Sequence, residues 1–206
     1  MTIAAQINDV IRRVDVNHRH QTVTLQQTFG TDVADLWDAC TNPERLPRWF
    51  EPVEGDLRVG GRYRLTDSGT EGRIERCEAP SSLRISWEYD GDTSWVTVTI
   101  TPTGTGEATL VLAHSGTNDD HWAEYGPAAG GVGWDESLLA LTLHLAGEGR
   151  SIPEQMSQFG GTEEGRRFLT SSVAAWREAH EATGADPATA SAAADRALKA
   201  YQTRSW

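Results

Sequence analysis

The chain has 206 residues and a formal charge of -12, from 30 acidic against 18 basic residues. That length holds one domain with its own core plus an appendage, and that charge repels phosphate backbones and anionic bilayers, so a nucleic-acid partner and membrane insertion are not expected. Cys40 and Cys77 are the only cysteines. With no CxxC pair, no basic-then-apolar leader at Met1 to Gln6, and no apolar window near the roughly 18 residues of a membrane span, the expectation is a cytoplasmic protein with two reduced thiols. Eight tryptophans stand against four phenylalanines, and indoles, which pair an apolar body with an N–H, suit the walls of mixed sites.

In residues 1–15, Ile3, Ile7, Val10, Ile11 and Val14 recur at helical spacing, which predicts a short amphipathic helix or docked arm. Thr22 to Phe29 alternates Val23, Leu25, Gln27 and Phe29 with Thr22, Thr24, Gln26 and Thr28, the pattern of a first strand. Thr31 or Asp32 is placed to cap a helix with Val33, Leu36, Trp37 and Cys40 on one stripe. Pro43 ends it, and a broken second helix follows at Glu44 to Phe50. From Gly55 to Gly116 the period becomes two, interrupted by turn residues at Gly60-Gly61, Asp67-Ser68-Gly69, Pro80-Ser81-Ser82, Asp90-Gly91-Asp92 and Thr103 to Gly106, so an antiparallel meander is expected. After a loop from His114 to Gly133, the run Trp134 to Ala146 is apolar on nearly every side, which predicts a helix buried both below and behind. Gly147 and Gly149 close it. A tail follows in which Thr162-Glu163-Glu164 caps one helix, with Leu169, Val173, Trp176 and His180 on a stripe, and Asp186-Pro187 opens an Ala-rich second. The stripe is expected to dock on the main domain or on a twin subunit, which would make a homodimer.

The order strand, two short helices, meander, long helix is that of a helix-grip fold, and several strings carry a closer resemblance. They are Leu36 to Leu46 with Arg48-Trp49-Phe50, Gly60-Gly61-Arg62-Tyr63, Leu83 to Glu88, Leu112 to Ser115, and Gly131 to Asp135. Together they resemble homologues of the heat-shock-protein-90 ATPase activator, within the START-like superfamily also called SRPBCC; the extended tail resembles actinobacterial members. The resemblance implies an α+β helix-grip fold, a curved antiparallel sheet wrapped around a long helix, with a cavity between them. It divides the chain into an arm at 1–20, a START-like domain at 21–149 and a helical extension at 150–206. The resemblance fixes no ligand; the expectation is a non-catalytic binding protein for a small apolar or amphipathic molecule, lipid- or polyketide-like, with no cofactor. Related branches include aromatase and cyclase proteins, which leaves an enzyme using the same cavity as the alternative, beside a co-chaperone-like interaction module.

A pocket of this kind needs an apolar wall with a few polar groups. The candidate ligand-binding residues are Trp49, Phe50, Tyr63, Trp87, Trp95, His114, Trp122, Trp134 and Leu138. Of these, Trp95 falls on the Thr97-Thr99 face of its strand, which points to solvent unless a bulge re-aims it. His114, near a strand end, is placed to bond a ligand or carry a proton. The string His114 to His121 holds two imidazoles and two carboxylates, but its spacing fits no ligand template, so no metal is expected. There is no nucleophile elbow, no His-Glu-x-x-His and no phosphate loop.

Overall fold

The computed structural model describes residues 7–147 and 152–203. One antiparallel sheet of eight strands runs in the order β1 (Ile11–Val16), β2 (His20–Phe29), β8 (Glu107–Thr117), β7 (Asp92–Gly104), β6 (Ser82–Tyr89), β5 (Glu71–Glu78), β4 (Arg62–Leu65), β3 (Val53–Gly55). After β2 the chain crosses to the far edge through α1 (Val33–Thr41) and a 3-10 turn (Leu46–Arg48), then meanders back until β8 pairs with β2. Register shifts at Ile74/Arg76 and Pro102/Gly104 interrupt the ladders, and such irregularities bend a sheet.

The N-terminal segment differs from its helical reading. Ile7–Asp9 is one 3-10 turn, Ile11 to Val16 is a strand paired with β2, and Ile3 lies outside the described residues. The apolar spacing fits a helix, but β2 offers a free edge, and pairing there buries Val14 while leaving Ile11 51% exposed. α1 begins as expected, with the Asp32 carboxylate accepting from the Asp35 N–H at 2.9 Å; satisfying that end donor is what the cap residue supplies. The broken second helix shrinks to the 3-10 turn, since Pro47 lacks the N–H that a longer helix needs.

Between β8 and the long helix, the expected loop contains a short helix, α2 (Asp120–Tyr125), capped by Asp119. The long helix, α3 (Ala128–Leu145), starts six residues before Trp134. Its glycines at 130, 131 and 133 argue for a loop by propensity, but close packing overrides that. Gly147 closes it with φ of 75°, a conformation glycine adopts without strain; Gly149 lies outside the described residues. The tail adds α4 (Ile152–Phe159), a helix beyond those expected, and then the expected pair α5 (Glu163–Glu181) and α6 (Pro187–Thr203).

α3 is buried on two sides. Leu138 and Leu141 join the sheet's Leu25, Val96, Ile100, Leu110 and Leu112 in the main core, while Val132 belongs to the same cluster as Val173 and Trp176 of α5. Leu139 packs with Ile7, Phe159 and Phe168 in a second cluster. The tail stripe is therefore spent within the chain, behind α3: Val173 and Trp176 are buried.

Candidate functional site

Side chains alternate across each strand, so the inner face of the sheet is fixed by register. Val23, Leu25, Gln27 and Phe29 of β2 share it with Leu110, Leu112 and His114 of β8, Val96, Val98 and Ile100 of β7, and Leu83, Ile85 and Trp87 of β6. Under α3 the β2, β7 and β8 positions are mostly packed out. Toward the far edge the wall changes: Ile85, Trp87 and Val98 remain only half-buried, as do Trp37, Trp49 and Phe50 from the α1 side and Trp134 from α3. Together they form a partly accessible apolar face between α1, its 3-10 turn, the sheet and α3.

At the α3 end of this face Trp87, His114 and Trp134 meet. The Trp87 and Trp134 ring centroids are 5.4 Å apart and those of His114 and Trp134 are 5.7 Å apart, both pairs edge-on, a favoured geometry for aromatic rings. The Trp134 indole N–H donates to His114 Nδ1 at 3.0 Å. An indole nitrogen only donates, so Nδ1 carries a lone pair, Nε2 carries the hydrogen, and Nε2–H donates to Ser94 Oγ at 2.8 Å. The Ser94 hydroxyl passes its hydrogen to the Trp87 carbonyl at 3.2 Å. Burial lowers His114 to a pKa of about 4, which keeps the ring neutral. A general base needs a free lone pair facing its substrate, and both ring nitrogens are already engaged. His114 thus holds Trp134 and Ser94 in place.

The remaining candidates are dispersed. Trp49 donates its indole N–H to the Ala39 carbonyl at 2.9 Å and stacks near Phe50, centroids 5.5 Å apart. Phe50 packs against Tyr63, Leu65 and Ile74 at the far edge. Tyr63 donates its hydroxyl to the Ser86 carbonyl at 2.7 Å, and burial raises its pKa. Leu138 is 3% exposed, beneath α3. Trp95 stands on the outer face, as its strand parity implies, with its N–H on Glu75 at 2.9 Å and the Arg84 guanidinium 5.9 Å from its ring. Trp122 lies on α2 beside His180 of α5, centroids 5.9 Å apart. His121 turns to Tyr125 rather than to His114. Among the described residues no three His, Cys, Asp or Glu side chains gather as a metal set, and no helix is long and apolar enough to cross a membrane.

Cys40 sits among apolar neighbours beside Leu36 and Ala39, and burial pushes its thiol up to about 12. Two groups escaped the sequence reading as a functional pair: Arg45 and His144. Arg45 Nη1 donates to Asp35 at 2.7 Å and Asp38 at 3.0 Å, while its Nε donates to His144 Nε2 at 3.0 Å. Arg45 was visible as part of a motif, but a partner 99 residues away leaves no local signal.

An eight-stranded antiparallel sheet gripping one long helix defines a helix-grip protein. The chain belongs to the family described as Activator of Hsp90 ATPase homolog 1-like proteins, whose model matches residues 31–146. Among solved structures it is similar to CalU16 from Micromonospora echinospora. The solution structure shares 29% identity at a TM-score of 0.69, covering 84% of this chain and 96% of that one; the crystal structure gives 28% and 0.60, covering 84% and 97%. Because 84% of the chain exceeds everything before the tail, the similarity extends into the tail. Protein MLL2253 from Mesorhizobium loti is 26% identical at a TM-score of 0.54, covering 63% of this chain and 98% of that one. No curated protein matches.

Proposed function

We propose that the chain is a non-catalytic, cytoplasmic binding protein for a small apolar or amphipathic molecule, lipid- or polyketide-like, held in the hollow between the concave sheet and α3. The supporting observation is that Trp49, Phe50, Ile85, Trp87, Val98 and Trp134 face inward and yet stay half-buried. Apolar area left accessible on a concave face gains about 25 cal/mol for each Å² that a ligand covers. The polar groups of this wall are already paired within the protein, Trp49 to Ala39, Trp134 to His114 and His114 to Ser94, so affinity would come from shape and apolar contact.

Titration with dodecan-1-ol and with a neutral polarity-sensitive dye tests this. Binding is expected to change tryptophan emission and to stabilise the fold by about 3 kcal/mol at a hundredfold excess over Kd. Trp134→Ala should weaken the response, whereas Trp95→Ala, on the outer face, should leave it intact. Equal loss in both variants, or no response from the wild type to either probe, would remove the reading.

A further inference from the structure

At the C-terminal end of α3 a depression of about 350 Å³ is lined by Asp38, Asn42, Arg45, Arg48, His144 and Leu145, with Glu44 also on its wall. We propose that it is an anion site, in which Arg48, the Nη2 group of Arg45 and the Nδ1–H of His144 grip a carboxylate or phosphate oxygen. The case rests on which donors are used up. Asp38 is engaged through both oxygens, one accepting from Asn42 at 3.0 Å and the other from Arg45 at 3.0 Å. Arg45 spends Nη1 on Asp35 and Asp38 and Nε on His144, and among the described residues Nη2 has no partner. A guanidinium cannot accept a hydrogen bond, so His144 Nε2 presents its lone pair to Arg45 and the ring hydrogen sits on Nδ1, where no partner meets it among the described residues. Arg48 is exposed and joins no ion pair among the described residues.

His144 lies close enough to both arginines to feel their charge. His144 is held below its ordinary pKa first by burial, then by Arg45 and Arg48, with Asp35 alone opposing. Arg45 and Arg48 share this wall with Asp38 and Glu44, so selection of an anion rests on the placement of the unused N–H donors and not on net charge. Glu44 is the one carboxylate of the wall without a partner among the described residues, and it stands exposed.

Two sources would supply such an oxygen: the head group of the hollow's own ligand, or a free small anion. Leu145 lines the depression and packs on the main core, and Trp49 follows Arg48 directly, so the two regions share their boundary. The geometry of the anion site stands by itself; only the head-group assignment rests on the binding hollow proposed above.

Wild type, Arg48→Ala and His144→Gln are titrated at low ionic strength with three probes: sodium dodecanoate, dodecan-1-ol and inorganic phosphate. Arg48 is exposed and joins no ion pair among the described residues, so its truncation leaves the fold intact. If the site holds a head group, dodecanoate binds about fivefold tighter than the alcohol, Arg48→Ala removes that preference, and alcohol binding does not change. If it takes a free anion, phosphate raises Tm saturably in the wild type and not in Arg48→Ala, while dodecanoate and alcohol bind alike. Failure of both long-chain probes with a retained, Arg48-dependent phosphate effect sinks the hollow and keeps the anion site. A dodecanoate preference or phosphate effect identical in Arg48→Ala, or neither effect in the wild type, overturns the site.

Discussion

His114 is the residue whose chemistry most depends on its neighbours. Its pKa falls from 6.5 to about 4 on folding because burial penalises the charged ring. Between these values the unfolded chain binds the extra proton and the folded one does not, so stability is complete above pH 6.5 and is lost as the pH falls toward 4. One pKa unit is about 1.4 kcal/mol, which bounds the effect near 3 kcal/mol, and screening of a half-buried ring reduces it to about 2 kcal/mol. His144 and His180 are lowered by burial too, so they add to the same slope. Urea denaturation from pH 4 to 8 should show this fall, and His114→Gln should flatten but not abolish it. At pH 7 that variant should lose about 1 to 3 kcal/mol, because Gln cannot serve both Trp134 and Ser94. A steeper slope in the variant would contradict the neutral-ring assignment. Position near a strand end made His114 legible as a candidate. Its tautomer was not, because it is set by Trp134 on another element. Strand parity, in contrast, was enough to read Trp95 as outward-facing.

α3 is joined to the tail by a buried charge. Arg12 of β1 grips Asp135 in a bidentate pair, with side-chain exposures of 6% and 1%. Ser172 and Trp176 of α5 donate to the same carboxylate at 2.5 and 2.9 Å. Burial pushes the Asp135 carboxyl up, and these four donors pull against it; each oxygen acts as an acceptor, which is the geometry of the ionised form. Removing one partner strands the other charge, so Asp135→Ala should cost about 3 to 5 kcal/mol, whereas Arg12→Met with Asp135→Leu should recover most of it. A double-mutant cycle by urea denaturation checks this, and additive losses would exclude the pairing. Two adjacent glycines provide a steric contrast. A Cβ on Gly131 would lie 2.3 Å from the buried Trp176 ring, while one on Gly130 meets nothing within 4 Å. Gly131→Ala should therefore lose about 1 to 3 kcal/mol, and Gly130→Ala should gain up to about 1 kcal/mol from helix propensity, both read as shifts in Tm. The sequence showed Trp134-Asp135 as a motif and Trp176 as part of a stripe. It did not show Arg12 as their partner, because 123 residues separate the ends of that bond, and local periodicity made the arm look helical.

For the whole molecule, the helix-grip order was legible because each element carries a local signature: alternation for strands, turn residues between them, and a run from Trp134 that is apolar all round. That last feature already required a second cover, which the tail supplies. The partly accessible inner face was less legible, since periodicity says which way a residue points and not whether another side chain covers it. The tail's role leads to a sharp expectation. The described chain before residue 148 contains the whole sheet and α3, but without the tail Val132 loses Trp176, Leu139 loses Phe159 and Phe168, and the Arg12–Asp135 pair loses two donors and its cover. Each exposed large apolar side chain gives up about 1.5 to 3 kcal/mol of burial, and the whole stability of a domain is only about 5 to 15 kcal/mol. A fragment ending at Gly147 should therefore aggregate or keep its far-ultraviolet dichroism while losing near-ultraviolet signal and binding a hydrophobic dye. Adding residues 148–206 as a separate peptide should restore the near-ultraviolet signal, and a fragment that melts cooperatively near the intact protein's Tm would show that the back of α3 needs no cover.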